Sequence, residues 1–119
     1  MSSQKKTIPT ANLELYERLL ATISGVQRKG AALPYTSLNG HMFSCLHPSG
    51  LALRLPKEER EKFLRKYKTT LFESYGIVQK EYVTVPDTLL AKTRELQKYF
   101  ELSYQYVQSL KPAPTKKSG

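Results

Sequence analysis

Residues 35–55 read YTSLNGHMFSCLHPSGLALRL, and here the chain abandons the helical spacing that precedes it. Two short runs, Tyr35 to Leu46 and Leu51 to Leu55, are rich in β-compatible residues. Between them stands His47-Pro48-Ser49-Gly50, a turn composition. Leu51, Leu53 and Leu55 alternate with Ala52 and Arg54, so one face of the second run is expected in a core and the other outside it. The stretch reads as a β-hairpin. Asn39-Gly40 is a further turn signal inside the first run, where a bulge or an extra tight turn is expected.

Upstream, Leu13, Tyr16, Leu19, Leu20, Ile23 and Val26 recur in steps of three to four, which predicts a helix over 11–27. Thr10 or Asn12 is placed to cap it, and Gly25, Gly30 and Pro34 punctuate its end. Downstream, Pro56 opens a second helix over 57–67, with Glu58, Glu59 and Glu61 early and Arg65, Lys66 and Lys68 late, as the helix dipole favours. Its apolar stripe is Phe63, Leu64 and Tyr67. Residues 69–73 and 78–85, separated by Gly76, read as a second pair of strands. A last helix is predicted from Pro86 or Asp87 to about Leu110, with Leu89, Leu96, Phe100, Val107 and Leu110 on one face.

The order is α-β-β(-β)-α-β-β-α. Short antiparallel strands with helices over one face give a two-layer α+β domain. One such domain is expected over 10–110, with a flexible N-terminus at 1–9 and a flexible basic tail at 111–119.

The 119 residues are 39% hydrophobic and 24% charged, which excludes wholesale disorder. No apolar run is long enough for a membrane span and residues 1–10 have no secretory h-region, so no membrane partner is expected. A single cysteine, Cys45, suits a reducing cytoplasm. The net charge of +9 is uneven: Lys5, Lys6, Lys111, Lys116 and Lys117 lie in the two end segments, and residues 54–68 hold seven bases against three acids. Outside that segment the body of the chain is nearly neutral.

Little catalytic material is present. There are two histidines, one aspartate and scattered glycines that form no phosphate-binding loop, so no catalytic residue and no cofactor are expected. The one concentrated run is His41-Met42-Phe43-Ser44-Cys45-Leu46-His47. On a regular strand its odd positions share a face, which would bring His41, Cys45 and His47 together as metal ligands or as a Cys/His pair. Their spacing matches no common zinc motif, and the competing reading is a buried Cys45 beside two partly exposed histidines.

Arg54, Arg60, Lys62, Arg65, Lys66 and Lys68 are candidate phosphate contacts for nucleic acid. Against that, Glu58–Lys62 and Glu61–Arg65 are i, i+4 pairs suited to neutralising one another. Eight tyrosines are many for this length. Tyr99, Tyr104 and Tyr106 lie on or beside the last helical stripe and are candidates for a self-association face, hence a homo-oligomer or another protein partner.

GHMFSCL at 40–46, LALRLPKEEREKFL at 51–64, TTLFESYGIVQKEYVTVP at 69–86 and the adjoining stretch to Pro112 resemble the TfoX N-terminal domain-like family. The resemblance implies a two-layer α+β fold in a small cytoplasmic bacterial protein. It supplies no catalytic residues. The best-known member couples this domain to a C-terminal helical domain and regulates competence for DNA uptake, whereas this chain reads as the stand-alone domain. The expected role is a non-enzymatic interaction or regulatory protein, with nucleic-acid binding through 54–68 and metal or enzymatic chemistry at His41, Cys45 and His47 as alternatives.

Overall fold

Prolines begin three of the helices. Pro9, Pro56 and Pro86 each stand at an N-cap in extended conformation, and the chain turns helical at the next residue. Pro9 thus takes the capping place expected of Thr10 or Asn12, and no side chain caps the helix. In the computed structural model, which describes residues 7–30, 33–74 and 76–111, these helices are α1 (Thr10–Leu20), α2 (Lys57–Tyr67) and α3 (Asp87–Leu90). The fourth is α4 (Thr93–Ser109). The strands are β1 (Tyr35–Leu38), β2 (His41–His47), β3 (Gly50–Arg54), β4 (Leu71–Ser74) and β5 (Ile77–Val85). The end segments carrying Lys5, Lys6, Lys116 and Lys117 lie outside the described residues.

The strands form one antiparallel sheet in the order β1-β2-β3-β5-β4. Asn39-Gly40 is a true two-residue turn between β1 and β2, with both residues at positive φ (56° and 81°), the geometry that matches strand twist. The fold is α+β, with the helices packed on one face of the sheet. Leu46, Leu51, Leu53, Leu55, Val83 and Val85 meet Tyr16, Leu19, Phe63, Leu89, Leu96 and Phe100 in a single core. Among the described residues no helix is long and apolar enough to cross a membrane.

The predicted last helix is two helices. The chain breaks at Ala91–Lys92, where Lys92 leaves helical geometry (φ −105°, ψ 75°). The cause lies in Leu90. On one continuous helix it would point about 100° away from the stripe of Leu89, Leu96, Phe100 and Val107. The break allows both Leu89 and Leu90 to be buried together. The first helix ends at Leu20, short of the predicted residue 27, and turns carry Ile23 and Val26 back against the core.

Two register shifts interrupt the strand pairing. Thr36 pairs with Ser44 and Ser37 with Met42, which leaves Phe43 as the extra residue of a β-bulge. On the other side of the sheet, Leu71 pairs with Val83 but Phe72 pairs with Gln79, so residues 80–82 of β5 depart from the ladder and the β4–β5 hairpin bends.

Candidate functional site

The bulge at Phe43 separates His41 from Cys45 and His47. Phe43 turns into the helical layer, its ring centroid 5.6 Å from that of Phe100 and 5.7 Å from that of Tyr104. His41 donates from Nε2 to the carbonyl oxygen of Lys111, just past α4, at 2.6 Å. Beyond the bulge the alternation is reset. Ser44 and Leu46 face the helices, whereas Cys45 and His47 join Met42 on the open face of the sheet. The regular alternation that would have gathered His41, Cys45 and His47 is therefore lost. Among the described residues no three His, Cys, Asp or Glu side chains are grouped to hold a metal.

Met42, Cys45 and His47 instead line a cleft of about 230 Å³ with Ala52, Phe72, Ser74, Gln79 and Tyr82. The bent β4–β5 hairpin forms its wall. Phe72 is buried there, its ring centroid 4.7 Å from that of His47. Tyr82 reaches across β3 and donates to the Met42 carbonyl oxygen at 2.7 Å, which fixes the opposite wall. The floor is apolar, and its titratable groups are held uncharged at neutral pH. Burial pushes the Cys45 thiol up to about 11 and the His47 imidazole below its ordinary value. Burial likewise raises the Tyr82 phenol, with the Arg54 charge acting against it. A thiolate–imidazolium pair, the reactive form of cysteine nucleophiles, is disfavoured on both sides. Next to Ser74 and Gln79 of the cleft wall, at the end of the β4–β5 hairpin, stand the two large exposed hydrophobic side chains of the described structure. These are Ile77 (63% exposed), paired with Ser74, and Val78 (48%), on the opposite face of the strand.

The basic segment divides by role. Arg54 binds Glu81, with Nε and Nη2 at 2.8 and 2.7 Å from Oε1, and its guanidinium lies between the rings of Tyr82 and Tyr106. Arg60 donates to the Leu55 carbonyl oxygen at 2.8 Å. Both arginines tie α2 and β3 into the fold. Lys62, Arg65, Lys66 and Lys68 are exposed. The expected Glu58–Lys62 and Glu61–Arg65 pairs do not close: the ion pairs among the described residues are Arg28–Glu17 and Arg54–Glu81.

The tyrosines proposed for self-association have partners inside the chain. Tyr99 packs edge-on against Phe63 and Tyr67, at 5.0 and 5.8 Å, closing the seam between α2 and α4. Tyr104 packs on Phe43, and Tyr106 donates to Glu81 at 3.4 Å. All three are half-buried.

Comparison of the chain with protein-family models, with curated proteins and with solved structures yields no match to any of them.

Sequence reasoning passed over Met42, Phe72 and Tyr82 as site residues. Each belongs to a different strand, and only the hairpin bend brings them together. A signal existed for the exposed pair, since Ile77 and Val78 follow Gly76 at a hairpin tip, where apolar residues are out of place in a solvated turn.

Proposed function

We propose that the protein is a non-enzymatic interaction module of the TfoX N-terminal-like kind that self-associates through the open face of its sheet. The observation that carries this is the apolar cleft beside Ile77 and Val78. One face of one chain bears both a socket and an apolar side chain to fill it, Ile77, whose register partner Ser74 lines the cleft, which is what a two-fold contact between identical surfaces requires. The uncharged state of Cys45, His47 and Tyr82 supports binding over nucleophilic chemistry. A regulatory role in a bacterial cytoplasm accords with the family resemblance and with a lone, buried, protonated thiol.

Light scattering across the micromolar range tests the reading. A dimer is expected for the unmodified chain, and Ile77→Glu with Val78→Glu should return it to the monomer with its far-ultraviolet circular dichroism unchanged, because neither side chain is in the core. A strict monomer at the highest concentration overturns the proposal. So does a dimer that survives both substitutions.

A further inference from the structure

The seam between α2 and α4 gathers basic residues that are far apart in the sequence. At its centre the Tyr67 hydroxyl donates to the Glu95 carboxylate and lies 3.5 Å from the Tyr99 hydroxyl. The Lys66 ammonium sits 5.3 Å from the centre of the Tyr67 ring. Glu95 is held below the usual carboxylate range, first by the Tyr67 hydroxyl and then by the charges of Lys92, Lys66 and Lys98, with partial desolvation acting the other way. Lys92 and Lys98 stand three residues before and after Glu95 along the chain, and Lys66 lies over the Tyr67 ring on the facing helix. None of the three pairs with Glu95 at contact distance, and its Oε2 is engaged by the Tyr67 hydroxyl. Lys62 stands one helical turn before Lys66 on the exposed side of α2, and its expected partner Glu58 does not reach it.

We propose that Lys62 and Lys66 of α2, with Lys92 and Lys98 of α4, form a binding surface for the phosphate backbone of nucleic acid. The residues are lysines, compact point charges that attract a row of phosphates without the fixed bidentate geometry of an arginine fork. The positive field belongs to two helices at once, which gives it the breadth to track several successive phosphates. Arg54 and Arg60 have no part in it, since Glu81 and the Leu55 carbonyl engage them. The surface shares no residue with the sheet-face cleft, and its success or failure is independent of self-association.

Fluorescence anisotropy with labelled single-stranded and double-stranded oligonucleotides and the full chain, from low to physiological salt, is the test. Binding is expected to weaken as salt rises, with a log–log slope of about −3 to −4 for four phosphate contacts at about 0.7–0.9 each. A triple variant Lys66→Glu, Lys92→Glu, Lys98→Glu should lose about tenfold or more in affinity. A control triple with the same change in charge, Arg18→Glu, Lys29→Glu, Lys111→Glu, should lose clearly less, and circular dichroism should show both folded. Equal losses in the two triples would mean general attraction to a cationic protein and would overturn the proposal, as would no binding at low salt. Equally tight binding of polyglutamate would overturn it in favour of an acidic protein partner. A preference between the two oligonucleotides assigns the phosphates to single strands or duplex.

Discussion

The hydroxyl of Tyr16, on α1, lies 2.7 Å from Oγ of Ser44, on β2, at the interface between the helices and the sheet. Ser44 in turn meets Thr36 Oγ1 of β1 at 2.5 Å, so one buried serine joins a helix to two strands. All three residues are fully enclosed, and burial pushes the Tyr16 phenol well above its ordinary range. A polar chain of this kind is tolerated in a core only while each member has a partner.

Ser44→Ala removes the shared partner and leaves two enclosed hydroxyls to compete for what remains. The expected loss is about 1–3 kcal/mol, against about 0.5–1.5 kcal/mol for Tyr16→Phe, which leaves the Ser44–Thr36 contact intact. Urea denaturation of both variants decides the order. Equal losses would mean that the Tyr16–Ser44 contact carries the whole effect and the Ser44–Thr36 contact adds nothing.

The β1–β2 turn makes an asymmetric prediction. Gly40 is at φ 81° and Asn39 at φ 56°, both left-handed. Gly40→Ala is expected to cost about 1–2 kcal/mol, because a Cβ is strained there. Asn39→Gly should change stability by only a few tenths of a kcal/mol, since glycine accepts the same conformation. Thermal melts of the pair measure the contrast.

Cys45 is 6% exposed and its thiol is held up to about 11, against 9.0 for a free one. Its reaction with an aromatic disulfide reagent should be slow at neutral pH and should rise with a midpoint near the higher value. Urea-unfolded protein should react with the midpoint of an ordinary thiol. A native rate at neutral pH equal to the unfolded rate would contradict the enclosed floor of the cleft.

His47 provides a pH dependence of defined sign. Burial lowers its pKa below the 6.5 of the free imidazole, so between those values the unfolded chain binds more protons than the folded one. Stability is therefore full above about pH 6.5 and falls as the solution is acidified through that window. His47→Gln should remove this contribution, so that the thermal midpoint of the unmodified chain declines more steeply from pH 7 to 5 than that of the variant. Parallel curves would place His47 in solvent.

Legibility tracked the range over which each feature is determined. The second helix was readable to its ends, Lys57 to Tyr67, because Pro56 starts it, Phe63 and Tyr67 mark its buried face, and its acids and bases follow the dipole. Asn39-Gly40 was readable as a turn because two left-handed residues are a local requirement. The split of the final helix was not, because the stripe of Leu89, Leu96, Phe100 and Val107 continues through the break, and the burial of Leu90 depends on what packs over it.

The candidate sites were the least readable part. His41, Cys45 and His47 share parity in the sequence, but one bulged residue, Phe43, reverses the faces on either side of it. Nothing in HMFSCLH specifies that bulge. It arises because Phe43 has Phe100 and Tyr104 to pack against while Ser44 has Tyr16 and Thr36 to bond.

By itself the sequence determined the α+β class, the order of elements and the uneven charge, because periodicity, turn residues and composition are local quantities. Which residues share a face, that Tyr67 with Lys66 of α2 meets Glu95 of α4, and that a cleft opens between β2 and the β4–β5 hairpin were decided only in the tertiary structure. Each depends on register and on contacts between segments distant in the chain, and a shift of one residue in an antiparallel ladder moves a side chain to the opposite face.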